Sequence, residues 1–366
     1  MSRLPAPRVA HHGTPRDHAV LISLLGLSTT GLLIHSCRIR RSHRLDRPSK
    51  AHAMLSLPED CHGPWTYAQL RDAIGRRSLD RLRADGRIRQ IWGVLVPMDS
   101  LLDPDTRAAA ALLVAGSQAA LTGLTAAWLQ GCPAAATPAV HVAVPYSSSL
   151  RTQEGLVVHQ GRGLLNDVIE VRKLRTVTLA VAVTELLCTD VARRALAVAD
   201  QASAQLSEGE RSAFCRRIAD RLATRADRRG TARAGTLLPL VTGRPESPPE
   251  SWLKLLVVDA GFPTPAEQFQ VLDALGCVRY VLDLCWPELR IALEYDGYES
   301  HEYRLDRDGR RDLDLERRGW ITVRATAADL AEPSGLLARL EDAFEIRGAG
   351  HYRAVPGEQR PGRRRA

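Results

Sequence analysis

Apolar and polar positions follow two distinct rhythms along this chain. Between 65 and 97, Leu70 and Ile74, then Leu79 and Leu82, recur at helical spacing on either side of Gly75. The run from Arg87 to Pro97 follows as a two-stranded ribbon. Two short helices and a ribbon predict a winged helix-turn-helix, with Arg76, Arg77, Arg81 and Arg83 lining the recognition helix and Arg87 and Arg89 opening the wing. From 176 to 240 the pattern is mainly helical, with Val181, Leu186, Leu187, Val191, Leu196 and Val198 at apolar positions. The stretch 243 to 249 reads as a domain linker. Ser247 and Glu250 then have capping-box spacing ahead of a helical segment carrying Trp252, Leu255, Leu256, Val258 and Ala260.

After that helix the period changes to two. Two strand-like runs meet at a Trp286-Pro287 turn, with Leu289, Ile291 and Leu293 facing a core and Ala292, Glu294 and Asp296 on the opposite face. The hairpin is expected to gather Asp283, Glu294 and Asp296, each near the end of its strand. Adjacent carboxylates repel, and a hard ion, Mg2+ or Mn2+, removes the conflict while keeping waters for a substrate phosphate to displace. Such a site suits phosphodiester hydrolysis. Gly297 permits a sharp turn that brings His301 beside the acids as ligand, general base or leaving-group acid. Glu250, in the first helical turn, either adds a fourth acid to the metal site or closes the helix cap. Arg311 and Arg324 either contact phosphate or pair with Asp312 or Glu316. Trp320 reads as core.

Composition changes this picture little. At 366 residues, 45% hydrophobic and 25% charged, the chain has room for two or three ordinary domains. A net charge of +8 favours an anionic partner, but with lysine only at 50, 173 and 254 the charge is nearly all arginine, which a GC-rich genome also produces. The basic stretch 216 to 233, with Arg225, Arg228, Arg229 and Arg233, is either a DNA-contacting edge or a solvated surface paired with Asp220 and Asp227. Seven cysteines without zinc spacing argue for reduced thiols in a cytoplasm, and Cys285 reads as a small buried hydrophobe. The apolar run 19 to 34 falls short of the roughly 20 residues of a membrane span.

The Asp283 to Glu294 spacing, Glu-Tyr-Asp-Gly at 294 to 297, His301, Arg311 and the segment Gly319 to Arg324 resemble the very-short-patch-repair endonuclease-like families of the PD-(D/E)xK superfamily, over roughly the last hundred residues. The resemblance implies a mixed sheet flanked by helices and an acidic cluster that holds Mg2+ for nucleic-acid cleavage. It also implies that a first-helix acid, here Glu250, points at the metal. The superfamily's usual lysine two residues after the acid is Asp296 here, which shifts the acid-base role to His301, as in the very-short-patch-repair enzymes. The region from Gly86 to Pro97, continuing through Ala108 to Trp128 (mostly helical) and His141 to His159 (strand-rich), resembles the AbiEi-type antitoxins, which bind DNA and repress their own operons.

The sequence therefore predicts an α/β protein, α+β overall. An extension at 1–53, disordered or lying upstream of a start at Met54, precedes a winged helix-turn-helix at 54–100 and an α/β middle region at 101–242. A restriction-endonuclease-like domain follows at 243–347, then a basic disordered tail at 348–366. The expected activity is Mg2+- or Mn2+-dependent hydrolysis of DNA, with RNA as the alternative substrate. Asp283, Glu294 and Glu250 are the expected ligands, Asp296 and His301 complete the catalytic set, and Arg76, Arg77, Arg81, Arg87, Arg89 and Arg311 contact nucleic acid. No small-molecule cofactor or membrane partner is expected. The rival is a noncatalytic regulator of antitoxin type.

Overall fold

The structure, a computed structural model, describes residues 63–297 and 305–349, with the backbone alone for 305–309. The extension with its apolar run and Met54, together with His301 and the tail from 350 onward, lies outside the described residues. Among the described residues no helix is long and apolar enough to cross a membrane.

Thr66 starts α1 (Tyr67–Ile74) with a reciprocal cap: its hydroxyl accepts from the Gln69 N–H at 3.2 Å, and its own N–H donates to Gln69 Oε1 at 2.8 Å. Gly75, at φ +79°, turns the chain into α2 (Arg76–Ala84). Strands β1 (Ile88–Ile91) and β2 (Val94–Pro97) pair antiparallel across Trp92 and Gly93, whose positive φ values of 51° and 96° suit a tight hairpin turn. Leu70, Leu79, Leu82, Ile88 and Leu95 form the core of this unit. The ribbon is docked on the middle region of the chain. Val94 and Val96 pack against Ala110, and at the tip the Trp92 indole N–H donates to the Glu154 carbonyl at 2.9 Å under the Arg107 guanidinium.

The middle region opens with α3 (Pro104–Ala115), β3 (Ala120–Leu121), α4 (Gly123–Leu129), β4 (Val140–Ala143), β5 (Leu156–His159), β6 (Val168–Val171) and β7 (Leu174–Val177). Its strands form one mixed sheet in the order β5-β4-β3-β7-β6. Four helices follow, α5 (Leu179–Thr189), α6 (Ala192–Ala204), α7 (Glu208–Thr224) and α8 (Thr231–Leu237), around Leu187, Leu196, Phe214 and Ile218. Val191, expected on the apolar stripe, is 58% exposed because it is the N-cap of α6.

The last region runs α9 (Pro248–Asp259), β8 (Ala266–Leu272), β9 (Val278–Trp286), β10 (Ile291–Tyr295), α10 (Leu305–Arg317), β11 (Ile321–Ala325), α11 (Ala327–Ala331) and α12 (Ser334–Ile346). The sheet order is β11-β10-β9-β8, antiparallel except for β10 and β11, which run parallel because α10 crosses between them. The expected alternation holds: Ile291 and Leu293 join Leu253, Val257 and Phe344, whereas Ala292 joins Leu315 and Trp320. The chain is thus an α/β protein built on mixed sheets.

The stretch at 243–249 is no slack linker. Helix α9 is apolar on two sides because it is shared: Leu253 and Val257 face the last sheet, while Leu255 and Val258 join the helical core of the middle region. Gly243 (φ +68°) lies so close to α6 that a Cβ there would stand 2.7 Å from the Ala204 nitrogen. Between the two regions the fully buried Lys254 ammonium donates to Asp200 Oδ2 at 3.2 Å, Glu267 Oε2 at 3.0 Å and the Leu240 carbonyl at 2.7 Å.

Candidate metal and nucleic-acid sites

Register builds the acidic site. Leu293 lies opposite Leu284 and Glu294 opposite Arg324, so one further step along the β9-β10 register places Asp283 across from Glu294. Glu267 and Phe269 of β8 face Leu284 and Leu282, which leaves Gln268 beside Asp283. Gln268, Asp283, Glu294 and Arg324 therefore form one row across four strands. Asp283 sits mid-strand, not near an end as expected, because the first half of β9 extends to pair with β8.

Glu294 is 4% exposed, and burial pushes its carboxyl up to about 7, opposed by the Arg311 guanidinium and reinforced by Asp283. Burial also raises Asp283, partly offset by the Tyr295 N–H that donates to its Oδ2 at 3.0 Å. The Glu250 carboxylate braces the entry to α9, but the expected capping box does not form, since Ser247, the N-cap, makes no side-chain cap hydrogen bond. Glu250 Oε2 accepts from the Glu246 N–H at 2.9 Å and the Gln268 amide at 2.8 Å, and its Oε1 accepts from the Ser247 hydroxyl at 2.7 Å. Burial raises its carboxyl as well, and Asp283 adds to the effect. Asp296 is exposed beyond the end of β10, where its charge acts on Arg324.

The expected cluster of three or more acids is therefore corrected: among the described residues no group of three or more His, Cys, Asp or Glu side chains is placed to hold a metal ion. Two carboxylates remain face to face. That set still fits a small hard ion, which takes one or two carboxylates and fills its shell with water and phosphate oxygen. The protein already places a cation there, since Arg311 Nη2 donates to Glu294 Oε1 at 2.5 Å and to the Val281 carbonyl at 2.9 Å. Arg311 is thus paired with Glu294, and Arg324 with Asp312 at 2.7 Å.

Gln268 escaped the sequence reading. It holds φ +48° inside a strand, an uncommon conformation for a non-glycine residue, while its amide holds Glu250. No local sequence signal marks such a residue, because its partners come from another helix and another strand.

On α2, Arg76, Arg77, Arg81 and Arg83 are exposed, as is Arg89 on β1, whereas Arg87 is half-buried. Among the described residues, only a loose contact of 3.8 Å to Asp80 engages Arg76. The other basic stretch is mostly spent internally. Arg225 pairs with Glu185 at 2.8 Å and Arg229 with Asp227 at 2.8 Å, while Arg228 and Arg233 donate to backbone carbonyls. Five described cysteines, Cys132, Cys188, Cys215, Cys277 and Cys285, are free thiols, and Cys285 is buried as expected.

Parallel pairing of β4 with β5 creates a second polar site, where His141 Nδ1 and His159 Nε2 lie 3.0 Å apart. The ring planes lie 22° apart with centroids at 5.2 Å, and which of the two facing nitrogens donates depends on the tautomer. Burial and then the neighbouring His159 push His141 down to about 4, and burial also lowers His159. A histidine below its unfolded value of about 6.5 stabilises the fold in its neutral form, so its contribution is complete above about pH 6.5 and is lost as the pH falls toward 4. The loss attributable to His141 is about 3 kcal/mol. Urea denaturation of wild type and His141→Asn from pH 7.5 to 4.5 checks this. The stability gap between the two proteins should shrink or reverse as pH falls, and a constant gap would show that His141 does not titrate in this window.

No family model matches the chain. The crystal structure of RV2827C protein from Mycobacterium tuberculosis aligns with a TM-score of 0.35 at 15% sequence identity, covering 57% of this chain and 83% of that one. Uncharacterized protein Rv2248 of Mycobacterium tuberculosis (strain ATCC 25618 / H37Rv) and Uncharacterized protein MT2308 of strain CDC 1551 / Oshkosh are each 33% identical over 278 residues, spanning 72% of this chain and 95% of theirs. The chain belongs to the family of these two mycobacterial proteins.

Proposed function

We propose that this chain is a cytoplasmic DNA-binding protein whose last region hydrolyses phosphodiester bonds with Mg2+ or Mn2+. The observation that carries the reading is the pairing of the half-buried Asp283 with the buried Glu294 in one row of a mixed sheet flanked by helices, the arrangement implied by the resemblance to very-short-patch-repair endonucleases. Asp283 and Glu294 would hold the ion. When bound, such an ion polarises a phosphoryl oxygen and makes water a better nucleophile. Gln268 keeps Glu250 fixed at the rim of the site, and Arg311 supplies planar donors suited to a phosphate. His301, outside the described residues, is the proposed acid-base group.

Incubating the full chain with nicked, mismatched, single-stranded and duplex DNA, with RNA alongside, in Mg2+ and in Mn2+ tests the reading. Metal-dependent cleavage of any substrate supports it, and no cleavage under every condition sinks it. The second reading is a noncatalytic regulator of antitoxin type. It is favoured by the exposed arginines of α2 and by the Arg311 guanidinium closed on Glu294. A sequence-specific footprint without cleavage would select it.

In either reading α2 should carry phosphate contacts. The double substitution Arg77→Ala/Arg81→Ala should weaken duplex binding across sequences and flatten the plot of log affinity against log salt by about 2. Fluorescence anisotropy between 50 and 200 mM salt, roughly the range over which such contacts tell, measures both effects. An unchanged slope would remove α2 from the interface.

A further inference from the structure

We propose that Arg311 is an exchangeable counter-ion, one that neutralises Glu294 in the metal-free protein and is released to a substrate phosphate when a divalent cation takes its place. The inference rests on the metal-dependent reading above and goes beyond it by coupling metal binding to phosphate binding.

Four observations converge. First, the Arg311 guanidinium is the cation in direct contact with Glu294, at 2.5 Å, while Arg324, its register neighbour on β11, is held by Asp312. Second, an ion between Asp283 and Glu294 would lie against that guanidinium, and two positive charges at such a separation in a poorly solvated site repel strongly. Metal and Arg311 therefore compete for the same oxygen. Third, the metal-free arrangement leaves Arg311 incompletely satisfied, because its buried Nε has no hydrogen-bond partner among the described residues. A phosphate oxygen would provide the missing acceptor. Fourth, release needs no change of fold. Arg311 sits mid-helix on α10, 28% exposed, and its guanidinium lies over the Tyr280 ring at 5.7 Å, while the Tyr280 hydroxyl is anchored to Asp314 on the same helix at 3.0 Å. Rotation about the side-chain bonds can carry the charge outward along that ring.

Linkage then fixes the sign of the coupling. A cation that frees Arg311 for phosphate must raise nucleic-acid affinity, and bound nucleic acid must raise metal affinity by the same factor. Substrate thus promotes loading of the site at which it is cleaved.

Calorimetric titration of Mn2+ alone into the full chain gives the direct test. Arg311→Gln should bind Mn2+ about tenfold more tightly than wild type, and Arg311→Lys, which keeps the competing charge, should stay close to wild type. The second readout is anisotropy of a labelled duplex with cleavage-resistant phosphorothioate linkages. Mn2+ should raise its affinity about tenfold more for wild type than for Arg311→Gln, which keeps only the direct contact of the ion with phosphate. Equal or weaker Mn2+ binding by Arg311→Gln, with wild type binding measurably, would overturn the exchange and leave the metal site standing. Absence of Mn2+ binding in both proteins would overturn the exchange and the metal-dependent reading together.

Discussion

Lys254→Met should cost about 3–5 kcal/mol of stability, the penalty for removing one partner of a buried ion network. The ammonium is fully buried and spends its three donors on Asp200, Glu267 and the Leu240 carbonyl. Methionine matches the length of the side chain and keeps its packing, so the loss is electrostatic: two buried carboxylates remain without their cation. Asp200 retains the Thr242 and Gly243 N–H groups and the Ser251 hydroxyl, whereas Glu267 keeps the Thr242 hydroxyl. Burial already raises the Glu267 carboxyl, and loss of Lys254 removes the charge that opposes this. Adding Glu267→Gln to Lys254→Met should therefore recover part of the loss. Urea unfolding of the three proteins at pH 7.5 measures both effects. A loss below about 1 kcal/mol would mean that water replaces the ammonium and that the network is not dry.

The same network bears on the candidate site. Glu250 lies one helical turn before Lys254 on α9, and Gln268 follows Glu267 on β8, so each half of the clamp adjoins one half of the Glu250–Gln268 hydrogen bond. The middle region thereby fixes how α9 meets the sheet beside Asp283.

What the sequence disclosed and what it hid divide along the range of the interactions. The helices α1 and α2 with the break at Gly75, the hairpin that opposes Asp283 to Glu294 and the two faces of β10 are written in local spacing, and each appears in the structure. Glu250 offered two readings with one spacing, and its carboxylate accepts from the Glu246 N–H and the Ser247 hydroxyl without forming the expected capping box. The rest depends on distant partners. Lys254 looks in sequence like a solvent-facing charge on an apolar helix, because the acids that bury it come from 54 residues upstream and 13 downstream. The Pro-rich stretch at 243–249 has a linker's composition, yet its start is pinned by Asp200 of α6. The ribbon tip at Trp92 and the His141–His159 pair are likewise products of tertiary contact.

Asp283→Asn should reduce metal-dependent cleavage roughly 10³-fold or more, about 4 kcal/mol of transition-state stabilisation, while raising the melting temperature. The two effects share one cause. Asp283 and Glu294 face each other in a site where burial disfavours both charges, so the metal-free fold carries an electrostatic strain that a divalent ion would relieve. Asparagine keeps the shape and still accepts the Tyr295 N–H, so the strand pairing survives while the like-charge conflict goes. A residue that only shaped the fold would show the opposite pattern, with activity lost because stability is lost. Cleavage of the best substrate in Mn2+, measured beside thermal unfolding of the metal-free protein, separates the cases. Retained cleavage would exclude Asp283 from the chemistry and point to a contaminating nuclease. Cleavage lost together with a lowered melting temperature would make the residue structural. A stabilised and inactive variant that no longer binds Mn2+ is the outcome expected of a site whose charges are kept together for a metal and at the expense of the fold.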